Sequence, residues 1–449
     1  MPGPKLDDLA LLKLVFAAGV IGAGGAGFPT HKKLAAGAKL LVVNAAECEP
    51  LLASDRYIMR EFPAEIVAGA QSVAQALGIP RVVIGTKKKY SREIAALRAA
   101  IAEAGAAIEI FGVESFYPAG DEQTLIYEIT GQSVPPGGIP LQIGIIVINA
   151  TTALNIQRGI QGVPVTRRFV TVTGAVAEPV IVDAPVGTTV EDLIKAAGGT
   201  PLPRYAIVRG GPMMGKQFQM EAAATMGYGK ADGGLIVLPA DHRLIQFCSK
   251  PIDQIIAQTR SICIQCAMCT EMCPRYLIGH QMRPNRVMRS VGTNTHPTEL
   301  LDALLCCECG ICELYACPMG LSPRRMNVYV KGMLRAEGAK ITDQTIHLEQ
   351  SESRPYRRIA QSRLIERLGL GDYPTQLDNC RSFEPQKVII GLRQGVGKPS
   401  SPRVAVGDSV HVGDVIAGVD FSEAGALIHA SIDGLVSEVT ADQIKIERK

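Results

Sequence analysis

Eight cysteines in two runs give this chain its clearest chemistry. The runs are Cys263-x2-Cys266-x2-Cys269-x3-Cys273 and Cys306-x2-Cys309-x2-Cys312-x4-Cys317. Each run ends in Cys-Pro, and its two-residue gaps let one loop present three thiolates while a distant cysteine supplies the fourth. This spacing is typical of a ferredoxin-type module that holds two [4Fe-4S] clusters and carries single electrons.

In two-cluster ferredoxins the last cysteine of each run ligates the cluster of the other run. The expected ligand sets are Cys263, Cys266, Cys269 with Cys317, and Cys306, Cys309, Cys312 with Cys273. Cys307 is a spare thiol, and it can replace Cys306 only by shortening the first gap to one residue, so the spacing favours Cys306. Structural zinc would need cysteine pairs rather than triplets. Disulfides are a weaker alternative because no secretory signal opens the chain.

Composition excludes several classes of partner. The 449 residues carry a formal charge of +3, with 47% hydrophobic and 20% charged residues, which predicts a globular chain of three or four domains. Two oxidised clusters would each add about −2, so general electrostatics do not favour nucleic acid. No apolar run approaches the roughly 20 residues of a membrane span. We therefore expect a protein that binds no nucleic acid and does not span a membrane. Because the chain is rich in cysteine and shows no export signal, we also expect it to be cytoplasmic.

The pattern of apolar residues predicts a multidomain α/β chain. Residues 1–165 alternate helix and strand, which indicates a Rossmann-like domain with a largely parallel sheet. Residues 166–240 place strands around one helix, as in a β-grasp domain, and residues 241–370 form a helical ferredoxin-type domain. Residues 371–449 contain short strands broken by Gly-Asp turns and resemble the barrel-sandwich hybrid of biotinyl and lipoyl carriers. The expected hairpin, residues 430–434, has no lysine to modify, so a structural or docking role is expected.

A glycine loop near the start of the chain is a candidate ligand site. Residues 22–27 satisfy G-x-G-x-x-G, and Glu47 lies 20 residues beyond the last glycine. A dinucleotide fingerprint should follow a strand, whereas this loop follows a predicted helix over residues 6–20. Glycines let the backbone approach a planar or phosphorylated ligand, and Lys33 can neutralise a phosphate. A purely structural glycine turn is the alternative.

Several segments together resemble one family of flavoproteins. They are the glycine loop through Thr30, residues 44–50, residues 55–57, residues 117–125 and residues 149–152. These resemble the flavin subunit of respiratory complex I, and still more the RnfC component of the Rnf electron-transport complex and the PduS-type cobalamin reductases. The RnfC component has its barrel-sandwich domain before the glycine loop, whereas here that unit comes last. This order favours the PduS-type family of propanediol-utilisation microcompartments.

The resemblance implies a set of cofactor contacts. The residues implied to contact FMN are Gly22, Gly24, Gly25, Gly27, Lys33, Asn44, Asn149 and Thr152. Those implied to lie nearby, at the flavin or the nicotinamide, are Glu47, Glu49, Gly120 and Glu122. In the complex I pattern Ala46 is usually aspartate and Ala23 arginine, so the resemblance supports FMN more strongly than NADH.

The resemblance also implies a reaction. NADH would reduce FMN, and single electrons would pass through the two clusters to cobalamin, which serves a B12-dependent diol dehydratase. The implied partners are a cobalamin adenosyltransferase and microcompartment shell proteins, and the implied location is inside a bacterial microcompartment. The resemblance leaves open whether the chain forms a homo-oligomer. No catalytic side chain is expected, and His31, His280 and His296 are interpreted as structural or surface residues. The alternatives are an Rnf-like NADH:ferredoxin or quinone electron-transfer subunit, and a non-catalytic iron–sulfur wire that lacks flavin.

Overall fold

The computed structural model describes residues 7–34, 37–293, 297–342 and 348–449. His296 and the first residue of the predicted helix over 6–20 lie outside these described residues. Four structural units follow one another along the described chain: an α/β unit, a β-grasp unit, a helical unit that carries the cysteines, and a β-sandwich. The predicted multidomain α/β class is thereby confirmed.

The α/β unit has a four-stranded parallel sheet with helices on both faces. Its sheet consists of β1 (Leu40–Ala45), β2 (Arg81–Lys87), β3 (Ile108–Val113) and β5 (Ile145–Asn149). A short strand outside this sheet, β4 (Phe116–Tyr117), follows β3. Its helices are α1 (Asp8–Ala17), α2 (Thr30–Lys33), α3 (Ser54–Glu61), α4 (Pro63–Leu77), α5 (Ser91–Ala104), α6 (Glu122–Thr130) and α7 (Ala150–Ile160), with a 3-10 turn at Pro140–Ile143.

Alternation along β1 explains why both faces of this sheet are covered. Leu41 and Val43 belong to the core that contains α4 and α7, whereas Leu40 and Val42 pack with Leu125 of α6. The strand order is β3-β2-β1-β5, so the direction of winding reverses between β1 and β5. In open α/β sheets, ligands bind outside the carboxyl ends of the strands at such a reversal.

The first helix is shorter than the sequence pattern predicts. Asp7 caps α1, since its side chain accepts a hydrogen bond from the Ala10 amide. The helix ends at Ala17, and Gly19 then takes a φ of +65°, a conformation that suits glycine. The chain therefore leaves the helix well before the glycine loop begins.

The β-grasp unit has its helix packed against a mixed sheet. Its elements are β6 (Arg167–Gly174), β7 (Val180–Pro185), α8 (Val190–Ala196), β8 (Tyr205–Arg209), β9 (Lys216–Gln219) and β10 (Gly234–Pro239), with a 3-10 turn at Met220–Ala222. The central strands β6 and β10 are parallel, and α8 buries Val190, Leu193 and Ile194 in the core beneath them. This arrangement agrees with the predicted β-grasp fold.

The helical unit carries all eight cysteines of the two runs. Its helices are α9 (Arg243–Cys248), α10 (Ile252–Ile262), α11 (Met268–Glu271), α12 (Pro274–Leu277), α13 (Pro284–Thr293), α14 (Pro323–Ala336) and α15 (Gln361–Leu368). Cys312–Ala316 is π-helical, Pro297–Leu305 and Arg354–Tyr356 are 3-10, and strand β11 (Ile359–Ala360) pairs with β4 of the α/β unit. This pairing joins the cysteine-bearing unit to the α/β unit.

The C-terminal unit is a sandwich of two small sheets, preceded by strand β12 (Cys380–Ser382). The strands of the sandwich are β13 (Lys387–Gly391), β14 (Ser401–Pro402), β15 (Ser409–Val410), β16 (Val415–Gly418), β17 (Ile428–His429), β18 (Gly434–Val439) and β19 (Gln443–Glu447). The sheets β13-β19-β18-β15 and β14-β16-β17 enclose one apolar core. Strand β12 pairs with β7 instead. That segment of the predicted range 371–449 therefore extends the β-grasp sheet.

Candidate flavin and iron–sulfur sites

The glycine loop lies at the point where the parallel sheet reverses its winding. Asn44 and Asn149 lie at the carboxyl ends of β1 and β5 and are register partners across the two strands. A Cβ placed on Gly24 would lie 3.6 Å from the Cβ of Asn149, so the loop passes directly over these strand ends. The structure thus brings together the predicted asparagines and the glycine loop in the crevice where α/β sheets bind ligands.

Hydrogen bonds hold the glycine loop as a closed hairpin. The Gly22 amide donates to the carbonyl oxygen of Phe28 at 2.8 Å. The Ala23 amide donates to the Thr152 hydroxyl at 2.9 Å, so Thr152 positions the loop. Gly25 has a φ of +109°, its surface is exposed, and a Cβ there would meet no described atom within 4 Å. The tip of the loop therefore borders open space.

Gly27 differs from the other glycines of the motif. Its φ is +64°, and a Cβ there would lie 2.6 Å from the Cα of Gly395 in the β-sandwich unit. The Val396 amide of the same segment donates to the carbonyl oxygen of Ala26 at 3.0 Å. Close backbone packing between two units therefore requires glycine at this position, and the structure does not bring Gly27 to the open tip of the loop.

Both predicted asparagines are fixed by hydrogen bonds. Asn149 caps α7 and donates to Asp55 at 2.8 Å, and the Thr151 hydroxyl donates to the same carboxylate at 2.9 Å. Asn44 donates to the carbonyl oxygen of Gly120 at 2.8 Å. A Cβ on Gly120 would clash with the carbonyl oxygen of Ala46, so glycine permits this close approach.

Lys33 and Glu122 meet across the crevice. Their side chains form an ion pair of 2.5 Å and are 33% and 38% exposed, respectively. Lys33 ends α2, the helix after the glycine loop, and Glu122 begins α6. Lys33 therefore lies in the helix that directly follows the loop, and its ammonium group is partly accessible to an anionic ligand.

Two carboxyl groups follow β1 on the acidic loop, residues 47–49. Burial, together with the neighbouring Asp55 carboxylate, raises the pKa of Glu47 to about 8. Burial also raises the pKa of Glu49 to about 7, although Glu49 accepts a 2.9 Å hydrogen bond from the Met213 amide. Carboxyl groups that titrate near neutral pH are suited to holding and releasing a proton beside a redox cofactor.

Sequence analysis missed two buried cations at this crevice. Lys87 ends β2 and is fully buried, and its Nζ donates to Gln361 Oε1 at 3.3 Å. Burial lowers the pKa of Lys87 to about 8. Arg168 of β6 is 4% exposed and donates to the carbonyl oxygen of Ala23 at 2.9 Å, while its Nη1 has no hydrogen-bond partner among the described residues. In both cases the available signal was a charged residue in a strand that also contains an apolar run, residues 82–84 in β2 and residues 169–170 in β6.

These features fit a phosphorylated, planar cofactor. Open space beside Gly25 admits a ring system, and the nearby Lys33 offers a cation for a phosphate. Within the described chain, the Nη1 of Arg168 is an unpaired buried donor beside the same loop. The residues present therefore fit FMN.

The cysteines surround two separate cavities in the helical unit. The first is walled by Cys263, Cys266, Cys269 and Cys317. The second is walled by Cys273, Cys306, Cys309 and Cys312, together with Cys307. The chain thus crosses over, with each run's last cysteine at the other run's cavity, which fits two [4Fe-4S] clusters with the predicted ligand sets.

The loops between these cysteines have unusual backbone conformations. Gln265, Ala267 and Glu308 have φ values of 52°, 60° and 62°, although none of them is glycine. Side chains disfavour this left-handed region, and such residues concentrate at functional sites. The positive φ angles fold each loop tightly, so that its cysteines converge on one cavity.

The two cavities differ in exposure. Cys266 and the neighbouring Ile264 are exposed at the first cavity, and Ile264 is 61% exposed. At the second cavity Cys273, Cys309 and Cys312 are all buried. The second cavity is also close to the acidic loop, because the Met213 carbonyl oxygen accepts a 2.9 Å hydrogen bond from Arg324, which lines that cavity. Met213 therefore touches both Glu49 and the wall of the second cavity.

Four protein families match successive parts of the chain. They are described as the Nuo51 FMN-binding domain, residues 15–158; the SLBB domain, residues 169–217; the 4Fe-4S dicluster domain, residues 262–322; and the RnfC barrel sandwich hybrid domain, residues 376–449. Together with the crevice and the two cysteine cavities, these matches define a flavin and iron–sulfur oxidoreductase.

Full-length similarity gives the particular family. The chain is 40% identical over 442 residues to the cobalamin reductase PduS of Salmonella typhimurium, and the match covers 97% of this chain and 95% of that protein. The chain therefore belongs to the PduS family. The cobalamin reductase PduS of Citrobacter freundii is 39% identical over 446 residues, or 98% of this chain and 97% of that protein.

A solved structure supports the fold. The NAD+-reducing [NiFe]-hydrogenase in its H2-reduced state is similar with a TM-score of 0.50 and 21% identity. The similarity covers 77% of this chain and 69% of the hydrogenase chain. Among the helices that the structure describes, none combines the length and apolar character needed to cross a membrane.

Proposed function

We propose that this protein passes electrons from NADH, by way of FMN and two [4Fe-4S] clusters, to cobalamin. The observation that carries the proposal is the contact between the flavin crevice and the second cysteine cavity. Met213 donates its amide to Glu49 on one side, and on the other it accepts from Arg324 in the wall of the cavity. Membership of the PduS family supports cobalamin as the acceptor.

The cofactors supply the electron chemistry when bound, since a flavin exchanges two electrons or one and a cubane exchanges one. The residues proposed to hold FMN are Gly22, Gly24, Gly25, Lys33, Asn44, Asn149 and Thr152, with Gly27 and Arg168 supporting the loop. Glu47, Glu49, Gly120 and Glu122 are proposed to border the flavin or the nicotinamide. The two carboxyls with raised pKa values can each hold a proton there.

The proposed cluster ligands are the two crossed cysteine sets that wall the cavities. The buried second cavity lies nearer the flavin crevice, whereas the first is exposed at Cys266 and Ile264. We infer that the second cluster receives electrons from the flavin side and that the first delivers them at the surface.

The proposal extends to domains and partners. The domains are proposed as residues 1–165, 166–240, 241–370 and 371–449, with β12 reaching back to the β-grasp sheet. The proposed partners are a cobalamin adenosyltransferase and the shell of a bacterial microcompartment in the cytoplasm. These follow from the resemblance to PduS-type reductases.

Cofactor content and acceptor choice test the proposal. Anaerobically purified protein should release flavin on denaturation, contain about eight irons per chain and lose visible absorbance when NADH is added. Clusters without flavin would instead identify a non-catalytic electron wire. Comparison of cob(II)alamin with ferredoxin and a quinone as acceptors distinguishes cobalamin reduction from an Rnf-like activity.

A further inference from the structure

A buried arginine lies between the flavin crevice and the second cysteine cavity. Arg275 follows Cys273 and Pro274 in α12, and its side chain is 9% exposed. It forms two parallel hydrogen bonds with Asp121, from Nη1 to Oδ2 at 2.8 Å and from Nη2 to Oδ1 at 3.0 Å. Such a bidentate pair fixes the orientation of the guanidinium as well as its position.

The carboxylate partner of Arg275 is itself held by the α/β unit. Asp121 caps α6 and accepts hydrogen bonds from the Thr124 amide and hydroxyl, both at 3.0 Å. The next residue, Glu122, pairs with Lys33 at the flavin crevice. The position of Arg275 is therefore set from both the cysteine side and the flavin side.

The charge of Arg275 acts on the cysteines of the second cavity. It interacts electrostatically with Cys307, Cys273 and Cys309. The same field helps to keep a neighbouring imidazole neutral, since burial and Arg275 lower the pKa of His280 to about 4. Arg275 thus places a permanent positive charge close to three of the thiols.

The two cavities differ in the charges around them. None of the residues that wall the first cavity is Asp, Glu, Lys or Arg in the part of the chain that the structure describes. The second has Arg324 in its wall, and Lys331 donates to the carbonyl oxygen of Cys306 at 2.8 Å. Both of these cations are paired with glutamates, as Arg275 is with Asp121. Charge is therefore concentrated around the buried cavity.

We propose that Arg275, fixed by Asp121, raises the reduction potential of the cluster in the second cavity. Reduction adds one electron, and hence one negative charge, to a cluster that already carries the charge of four thiolates. A neighbouring cation stabilises the more negative reduced state, strongly so where burial weakens screening. The electron comes from NADH through the flavin. The inference rests on the proposed function, because it requires both clusters to be bound.

Redox titration followed by electron paramagnetic resonance tests this role in the full-length, cluster-loaded protein. In R275Q we expect the second cluster to be at least tenfold harder to reduce, a fall of about 59 mV for one electron. R275K retains the charge and should shift the potential less. D121N keeps a good helix cap but removes a negative charge, so the potential should rise. Opposite shifts in R275Q and D121N are the signature of an electrostatic effect.

Matched variants separate this effect from general damage. R158Q removes the bidentate Arg158–Glu65 pair of the α/β unit and should leave both potentials unchanged. The variant C266S removes a proposed ligand of the first cavity, so the paramagnetic resonance signal that changes in this variant belongs to the first cluster. Intact clusters with unshifted potentials in R275Q, or equal shifts of the same sign in R275Q and D121N, would overturn the inference alone. Wild-type protein that binds no clusters would overturn the proposed function and the inference together.

Discussion

The hydroxyl of Tyr117 donates a 2.7 Å hydrogen bond to the carbonyl oxygen of Cys309. Tyr117 belongs to β4 beside the flavin crevice and is 2% exposed, while Cys309 lies in the wall of the second cysteine cavity. The same hydroxyl lies 3.4 Å from a carboxylate oxygen of Glu49. One buried side chain therefore fixes the acidic loop against the cluster loop.

Replacement of Tyr117 by phenylalanine should loosen this contact. The variant leaves the Cys309 carbonyl oxygen buried without this donor, and we expect the free energy of unfolding to fall by about 1–3 kcal/mol. Urea unfolding followed by circular dichroism measures the change. Tyr356→Phe is the control, because Tyr356 is 88% exposed. Equal stability of the two variants would show that the hydrogen bond contributes nothing measurable.

Lys33→Met should weaken flavin binding. We expect the Kd for FMN to increase by about tenfold or more, because the variant removes a charge-assisted contact with the phosphate. Flavin fluorescence titration of the flavin-stripped protein measures this affinity. Lys32→Met serves as the matched control, since Lys32 is exposed on the same short helix. An unchanged Kd in Lys33→Met would exclude Lys33 from the phosphate site.

Cys306 and Cys307 both line the second cavity, and only one can complete its ligand set. The x2 spacing favours Cys306, whose Sγ also accepts a hydrogen bond from the Glu308 amide at 3.3 Å. Cys306→Ser should therefore lower the iron content by about four atoms per chain, whereas Cys307→Ser should retain about eight. Iron and sulfide analysis distinguishes the two. The reverse pattern would assign the ligand to Cys307.

Lys230 should make stability depend on pH. It lies fully buried where three units meet, and it donates to the carbonyl oxygens of Gly19 and Leu427 at 2.9 and 2.8 Å. Burial lowers its pKa from 10.5 to about 7. Because the folded state binds the proton more weakly than the unfolded chain, stability falls as the pH drops from about 10.5 to 7.

Lys230→Met removes this titration. We expect the urea midpoint of wild type, relative to that of the variant, to be higher at pH 9.5 than at pH 6.5. Lys216→Met is the control, since Lys216 is exposed in β9. The same difference at both pH values would mean that Lys230 does not titrate in this range.

Local pattern was sufficient to predict much of the fold. The apolar run at residues 40–43 predicts a strand over residues 40–44, and the segment between Pro63 and Gly78 predicts a helix over residues 63–77. The structure has β1 at Leu40–Ala45 and α4 at Pro63–Leu77. Helices α3 and α7 were not predicted. Ser54–Glu61 has few apolar residues, and Ala150–Ile160 directly continues from the strand that precedes it.

The remaining features depend on which distant segments meet. The packing of Gly27 on Gly395 joins residues that are far apart in the chain, so the glycine motif alone indicated only a ligand site. Arg168 reaches the glycine loop from the β-grasp unit, and Lys87 donates a hydrogen bond to Gln361, which lies in a distant part of the chain. Sequence spacing does predict which three cysteines of each run converge, because they lie on one short loop, and the crossed fourth cysteine is expected from the pattern of two-cluster ferredoxins.

The central claim is that electrons from NADH reach cobalamin through both clusters. Its most direct test is anaerobic NADH-dependent reduction of cobalamin by the fully loaded protein, compared with the variant Cys266→Ser at the exposed first cavity. We predict steady cobalamin reduction by wild type, and in the variant a loss of that activity while NADH still reduces the flavin. Failure of wild type to reduce cobalamin, or undiminished reduction by a variant that has lost the first cluster, would contradict this claim.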